Sequence, residues 1–97
     1  MKAPYQLLRA ARVALDISHE DLAKEAGVSE RTLVRIEMPQ TVSAESIARV
    51  QAALERRGVK FLEPEDQDGP GLRVPSAMLS PPAVRGYGAG GKTGKKS

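Results

Sequence analysis

The sequence predicts an all-α fold of four short helices, followed by a short C-terminal β-ribbon and a disordered tail. Three observations carry that expectation. Apolar residues recur at helical spacing through residues 5–57, in runs bounded by prolines, serines and glycines. Aromatic residues make up only 3% of the chain, so the core must be built from Leu, Ile, Val and Ala, which suits closely packed short helices. Beyond Gly58 the helical period gives way to two β-prone stretches and then to a segment rich in Pro and Gly.

The first helix is expected over YQLLRAARVAL, residues 5–15, where Leu7, Leu8, Ala11 and Leu15 form one stripe. Pro4 suits its first turn, because an N–H there lacks a helical partner anyway. The second opens at Ser18, with Asp21 three residues on in a capping-box pattern, and buries Leu22, Ala23 and Ala26. Gly27 can take the left-handed conformation that ends it. Ser29 then caps a third helix over residues 30–38, ERTLVRIEM, with Leu33 and Ile36 inward. Pro39 ends it, since a residue before proline is pushed out of the α region. Ser43 caps a fourth helix, Ala44 to Arg57, with Ile47, Val50 and Leu54 in register and Gly58 closing it.

The spans VKFL (59–62) and LRV (72–74), joined by EPEDQDGPG, predict a two-stranded ribbon. Such a ribbon is marginal alone and needs the helices or a second chain to cover it. The organisation is thus a helical domain over 1–58, a ribbon over 59–74 that is a candidate dimerisation element, and a basic tail over 75–97.

With no Cys and one His among 97 residues, disulfides, thiolate metal sites and Cys–His catalysis are excluded, and no metal or cofactor is expected. The absence of Cys is compatible with a cytoplasmic protein. The net charge of +3 is segmented, with a mildly basic helical part, four acids against one Arg in residues 63–74, and four cations without an acid after that. That distribution suits an anionic partner. Within the tail, GYGAGGKT (86–93) matches the phosphate-loop pattern GxxxxGK followed by Ser or Thr. A phosphate loop needs a strand before it and a helix after it. Here SPPAVR precedes it and only GKKS follows, so it reads as a flexible basic segment. No acid–base pair or nucleophile constellation is evident, and an enzyme is not expected.

Two short capped helices around a Gly-centred turn are the pattern of a helix-turn-helix. Ala23 lets the helices approach, and Val28 can plug the gap between them. At ISHEDLAKEAGVSERTLVRIE, residues 17–37, the chain resembles the lambda-repressor-like, or XRE-type, helix-turn-helix family, and with flanking helices the resemblance covers about residues 6–57. It implies a four-helix lambda-repressor-like domain that binds operator DNA as a homodimer, with residues 30–38 as recognition helix. Arg31 and Arg35 are one turn apart and can pair with guanine edges in the major groove. Glu30 can accept from cytosine, and Thr32 can touch a thymine methyl or a phosphate. Ser29 offers a phosphate contact at the helix start. By resemblance, His19 stands where the family often has a phosphate-binding Gln, and Arg12 and Glu37 stand where it has a structural ion pair. Gln40 and Thr41, in a turn that departs from the family, are the expected replacements for its later phosphate contacts. The expectation is therefore a DNA-binding transcriptional regulator, a repressor; a protein-interaction module of the same fold, such as an antitoxin or adaptor, is the alternative.

Overall fold

The computed structural model describes residues 1–85, in which four helices build one core. They are α1 (Tyr5–Ala14), α2 (His19–Ala26), α3 (Glu30–Ile36) and α4 (Ala44–Arg56). Two strands follow, β1 (Lys60–Leu62) and β2 (Gly71–Arg73), and then a 3₁₀ turn over Ser76–Met78. The GYGAGGKT segment and Lys92, Lys95 and Lys96 lie outside the described residues.

Caps set the helix starts. The Ser18, Ser29 and Ser43 hydroxyls accept from the backbone N–H three residues on, at 3.1, 3.0 and 3.1 Å. At Ser18 the backbone of Asp21 makes the bond, which is one half of the expected capping box.

Three helices end in the same way. After α1, α2 and α4 a residue with positive φ reverses the chain, and the next residue, β-branched and apolar, turns back towards the core. The reversing residues are Asp16 (φ 56°), Gly27 (φ 74°) and Gly58 (φ 97°). The following N–H groups of Ile17, Val28 and Val59 bond to carbonyls five residues back, at 3.3, 3.1 and 3.2 Å. Ile17 and Val59 are buried and Val28 is half-buried against the core. The sequence pattern marks the two glycines but not Asp16, whose short side chain tolerates the left-handed region.

The predicted third helix ends earlier than residue 38. Glu37 already leaves α-helical geometry (φ −86°, ψ 14°), and Met38 N–H bonds the Arg35 carbonyl at 3.1 Å, tightening the last turn ahead of Pro39.

Leu8, Leu22, Leu33, Val50 and Leu54 are the largest fully buried side chains, with Ala11, Ala23, Ala26 and Ala53 letting the helices close on one another. The strands pair antiparallel, with Phe61 opposite Leu72. Phe61, Leu72 and Val74 pack on the helical core, and β2 lies against α1, so the helices cover the ribbon's inner face. The ordered chain also continues past Pro75, where the tail is expected to begin. Pro75 lodges over Gly58 so closely that a Cβ at Gly58 would stand 2.7 Å from the proline ring. Its ring fixes φ and its contact fixes its position, which anchors the 3₁₀ turn that follows.

Candidate nucleic-acid interface

The seven residues of α3 are divided by the helical period. Leu33 and Ile36 are buried, which turns Glu30, Arg31, Val34 and Arg35 outward as exposed residues. Ser29 caps the helix through two bonds. Its Oγ accepts from Thr32 N–H at 3.0 Å, and its hydroxyl donates to Thr32 Oγ1 at 2.9 Å. Both hydroxyls are thus engaged with each other, and Thr32 is half-buried. Gln40 and Thr41 are exposed in the turn after α3, and neither side chain bonds to a described residue.

The arginines distinguish α3 from its surroundings. Residues 1–58 contain seven, and five are tied to the fold. Arg12 donates to Glu37 and to the Ile17 carbonyl. Arg9 donates to the Glu37 carbonyl, and its guanidinium lies 5.8 Å from the Tyr5 ring centre. Arg49 donates to the Gly27 carbonyl, Arg56 to the Glu25 carbonyl, and Arg57 to the Glu25 carboxylate. Arg31 and Arg35 alone have no hydrogen bond or ion pair with any described residue.

Behind α3 sits Glu37, the one buried charged residue among those described, 4% exposed. Its Oε2 accepts from Arg12 Nε at 2.7 Å, and its Oε1 lies 3.1 Å from His19 Nε2. The group joins α1, the start of α2 and the end of α3 through one carboxylate. The structure therefore brings Arg12 and Glu37 together as a pair and adds His19 as a third member. The His19 contact was not anticipated from sequence, because it links positions 18 residues apart with no local pattern.

At the other end of α2, three arginines of α4 and its cap converge. Arg49, also bound to Glu45 at 2.6 Å, and Arg56 satisfy carbonyls at the α2 C-terminus, where cations favour the helix dipole. The Arg57 hydrogen bond holds the Glu25 carboxyl below its usual value and raises the Arg57 guanidinium in return.

The acidic loop stays clear of α3. Glu63 faces the N-terminal amine at 3.7 Å, and Glu65 and Asp68 bond each other's backbone at 3.0 and 2.7 Å. No acid of residues 63–68 pairs with Arg31 or Arg35. What remains is a short helix carrying two uncommitted guanidiniums one turn apart on a braced support. Among the described residues there is no group of His, Asp and Glu that could hold a metal ion, and no helix long and apolar enough to cross a membrane.

A family model described as helix-turn-helix matches residues 8–58, more than half of the chain. No curated protein matches it.

Proposed function

The chain belongs to the helix-turn-helix family of the XRE/Cro/C1 type, a DNA-binding domain, and on that premise we propose that it is a sequence-specific transcriptional repressor acting as a homodimer. One observation carries the reading of its site. Arg31 and Arg35 are the only arginines of the domain without a partner among the described residues, and both stand on the outward face of α3. A guanidinium fork aimed at a guanine edge contributes about 1–3 kcal/mol of base discrimination. Glu30, at the start of the same face, supplies an acceptor for cytosine. Thr32, with its hydroxyl engaged by Ser29, contributes through its methyl group. Phosphates are held by His19, the Ser29 turn, Gln40 and Thr41 on either side.

A two-fold dimer doubles these few contacts and fixes the half-site spacing. The ribbon is its contact, through the outer edge of β1, since a two-stranded sheet leaves an unpaired backbone edge on each side. Leu62, 39% exposed on that strand, is the position to test. Cutting the chain after Gly58 removes the ribbon but also strips buried Val59 and half-buried Phe61 from the core, whereas Leu62→Asp leaves them in place. The expected outcome is a monomer in sedimentation with an intact thermal transition. A Leu62→Asp protein that remains dimeric places the interface on the helices.

The exposed apolar residues Val34 (39%) and Met38 (43%) at the end of the same face are the observation that favours docking of a protein instead. Selection of bound fragments from random DNA separates the two readings. A palindromic consensus, bound with a steep salt dependence, supports the repressor. Binding that never exceeds that of random duplexes supports the protein-docking module.

A further inference from the structure

We infer that His19 binds the DNA backbone only as an imidazolium, so that operator binding takes up a proton through the His19–Glu37–Arg12 cluster. The inference rests on the DNA-binding reading and deepens it. Three features of the cluster lead to it. First, the His19 Nε2 stands 3.1 Å from Glu37 Oε1. A carboxylate only accepts, and this one already accepts from Arg12 Nε at 2.7 Å, so Nε2 is the nitrogen that carries the hydrogen. Second, the Nδ1 of the neutral ring is then an acceptor, and it has no partner among the described residues. An acceptor lone pair repels a phosphate oxygen. Only a second proton turns Nδ1 into a donor that a phosphate can accept. Third, the ring is held but not sealed, since about a third of the His19 side chain (34%) remains exposed while the Glu37 side chain beneath it is buried.

The charged groups around the ring have been laid out by the fold. From the end of α3 comes Glu37, and from α1 come Arg12 on its carboxylate and Arg9 on its carbonyl. Its own helix adds exposed Asp21 and Glu20, the latter paired with Lys24 at 3.8 Å. No charged group of α4 contacts His19 among the described residues. The imidazolium would therefore bridge two anions, Glu37 inside and a phosphate outside, and tie the DNA backbone to the support of the recognition helix. Glutamine at this position would donate and accept at any pH. Histidine makes the same bridge conditional on a proton.

The test uses the full chain and the duplex recovered by selection, with a scrambled duplex of equal length as control. Affinity is measured from about pH 6 to pH 8, the range in which imidazoles ordinarily titrate. The wild type is expected to bind roughly tenfold more tightly at the acid end, the size of one charge-assisted hydrogen bond. His19→Gln is expected to bind with no pH dependence over that range. The chain has a single histidine, so one imidazole resonance reports its protonation by NMR, and at neutral pH that resonance should move to the imidazolium position when operator is added. Equal pH slopes in the wild type and His19→Gln, or an imidazole resonance that operator leaves in the neutral position, overturn the inference while leaving DNA binding intact. Failure of every duplex to bind above the scrambled control, at all pH values, overturns the DNA reading and this inference with it.

Discussion

Compared with α3, the contact between α2 and α4 uses its arginines in the opposite way. Arg49, Arg56 and Arg57 converge on the last turn of α2, where each finds a carbonyl or a carboxylate of that helix. Arg31 and Arg35 belong to a helix of similar length, one turn away in sequence, and have no partner among the described residues. The difference is one of neighbours. The end of α2 packs beside α4, whose long side chains reach its unpaired carbonyls. Among the described residues no element packs on the outward side of α3, and Glu63 of the acidic loop faces the N-terminal amine instead. Identical side chains thus stabilise the domain in one place and stay unpaired among the described residues in the other.

The largest effect is expected at Glu37, where the structural arginines meet the support of α3. Replacing it by Ala leaves the Arg12 side chain, 15% exposed, without its carboxylate and removes the acceptor of His19. Unpairing one member of a buried ion pair is expensive, and the expected loss is about 3 kcal/mol in urea denaturation. Operator affinity should fall as well, because the end of α3 loses its brace. A Glu37→Ala protein of unchanged stability would mean that the cluster is incidental to the fold.

Arg31→Ala and Arg35→Ala sharpen the contrast. Both are exposed and have no partner among the described residues, so stability should stay within about 0.5 kcal/mol of the wild type. Base discrimination should fall by about 1–3 kcal/mol at the position each one reads. Selection with the variants checks this, since the consensus should relax at one base pair per half-site rather than weaken uniformly. A loss of stability comparable to that of Glu37→Ala would show instead that these arginines belong to the fold.

The same contrast explains how much the sequence discloses. Helix starts and the turn between α2 and α3 are local features, and Ser18, Ser29, Gly27 and Pro39 mark them within a few residues. Burial of Leu22, Leu33, Val50 and Leu54 follows from helical spacing. The outward placement of Arg31 and Arg35 follows from the same period, because it is the complement of Leu33 and Ile36. What the pattern does not reveal is pairing across the fold. Arg57 meets Glu25 from 32 residues away, and His19 meets Glu37 across two helices. Pro75 looks like the start of a tail until Gly58, lacking a Cβ, is seen to receive it. Asp16 carries a left-handed turn that its residue type permits but does not announce.

The smallest effect belongs to the Glu25–Arg57 pair, and its pH dependence tests whether the arginines at the end of α2 contribute to stability at all. The hydrogen bond from Arg57 lowers the Glu25 carboxyl below its ordinary value of 4.5. A carboxyl lowered by folding contributes stability that is fully present above the unfolded value and is lost as pH falls through the folded one. Glu25→Gln should therefore destabilise the domain near neutral pH and match the wild type once the medium is acid enough to protonate the paired carboxyl. Both side chains are 37% exposed, so solvent screening limits the difference to about 0.5 kcal/mol, and salt should reduce it further. Thermal melts of the two proteins across an acid series read it directly as a gap that closes on acidification. A gap that persists unchanged at low pH would assign the effect to packing of the Glu25 stem rather than to its pairing with Arg57.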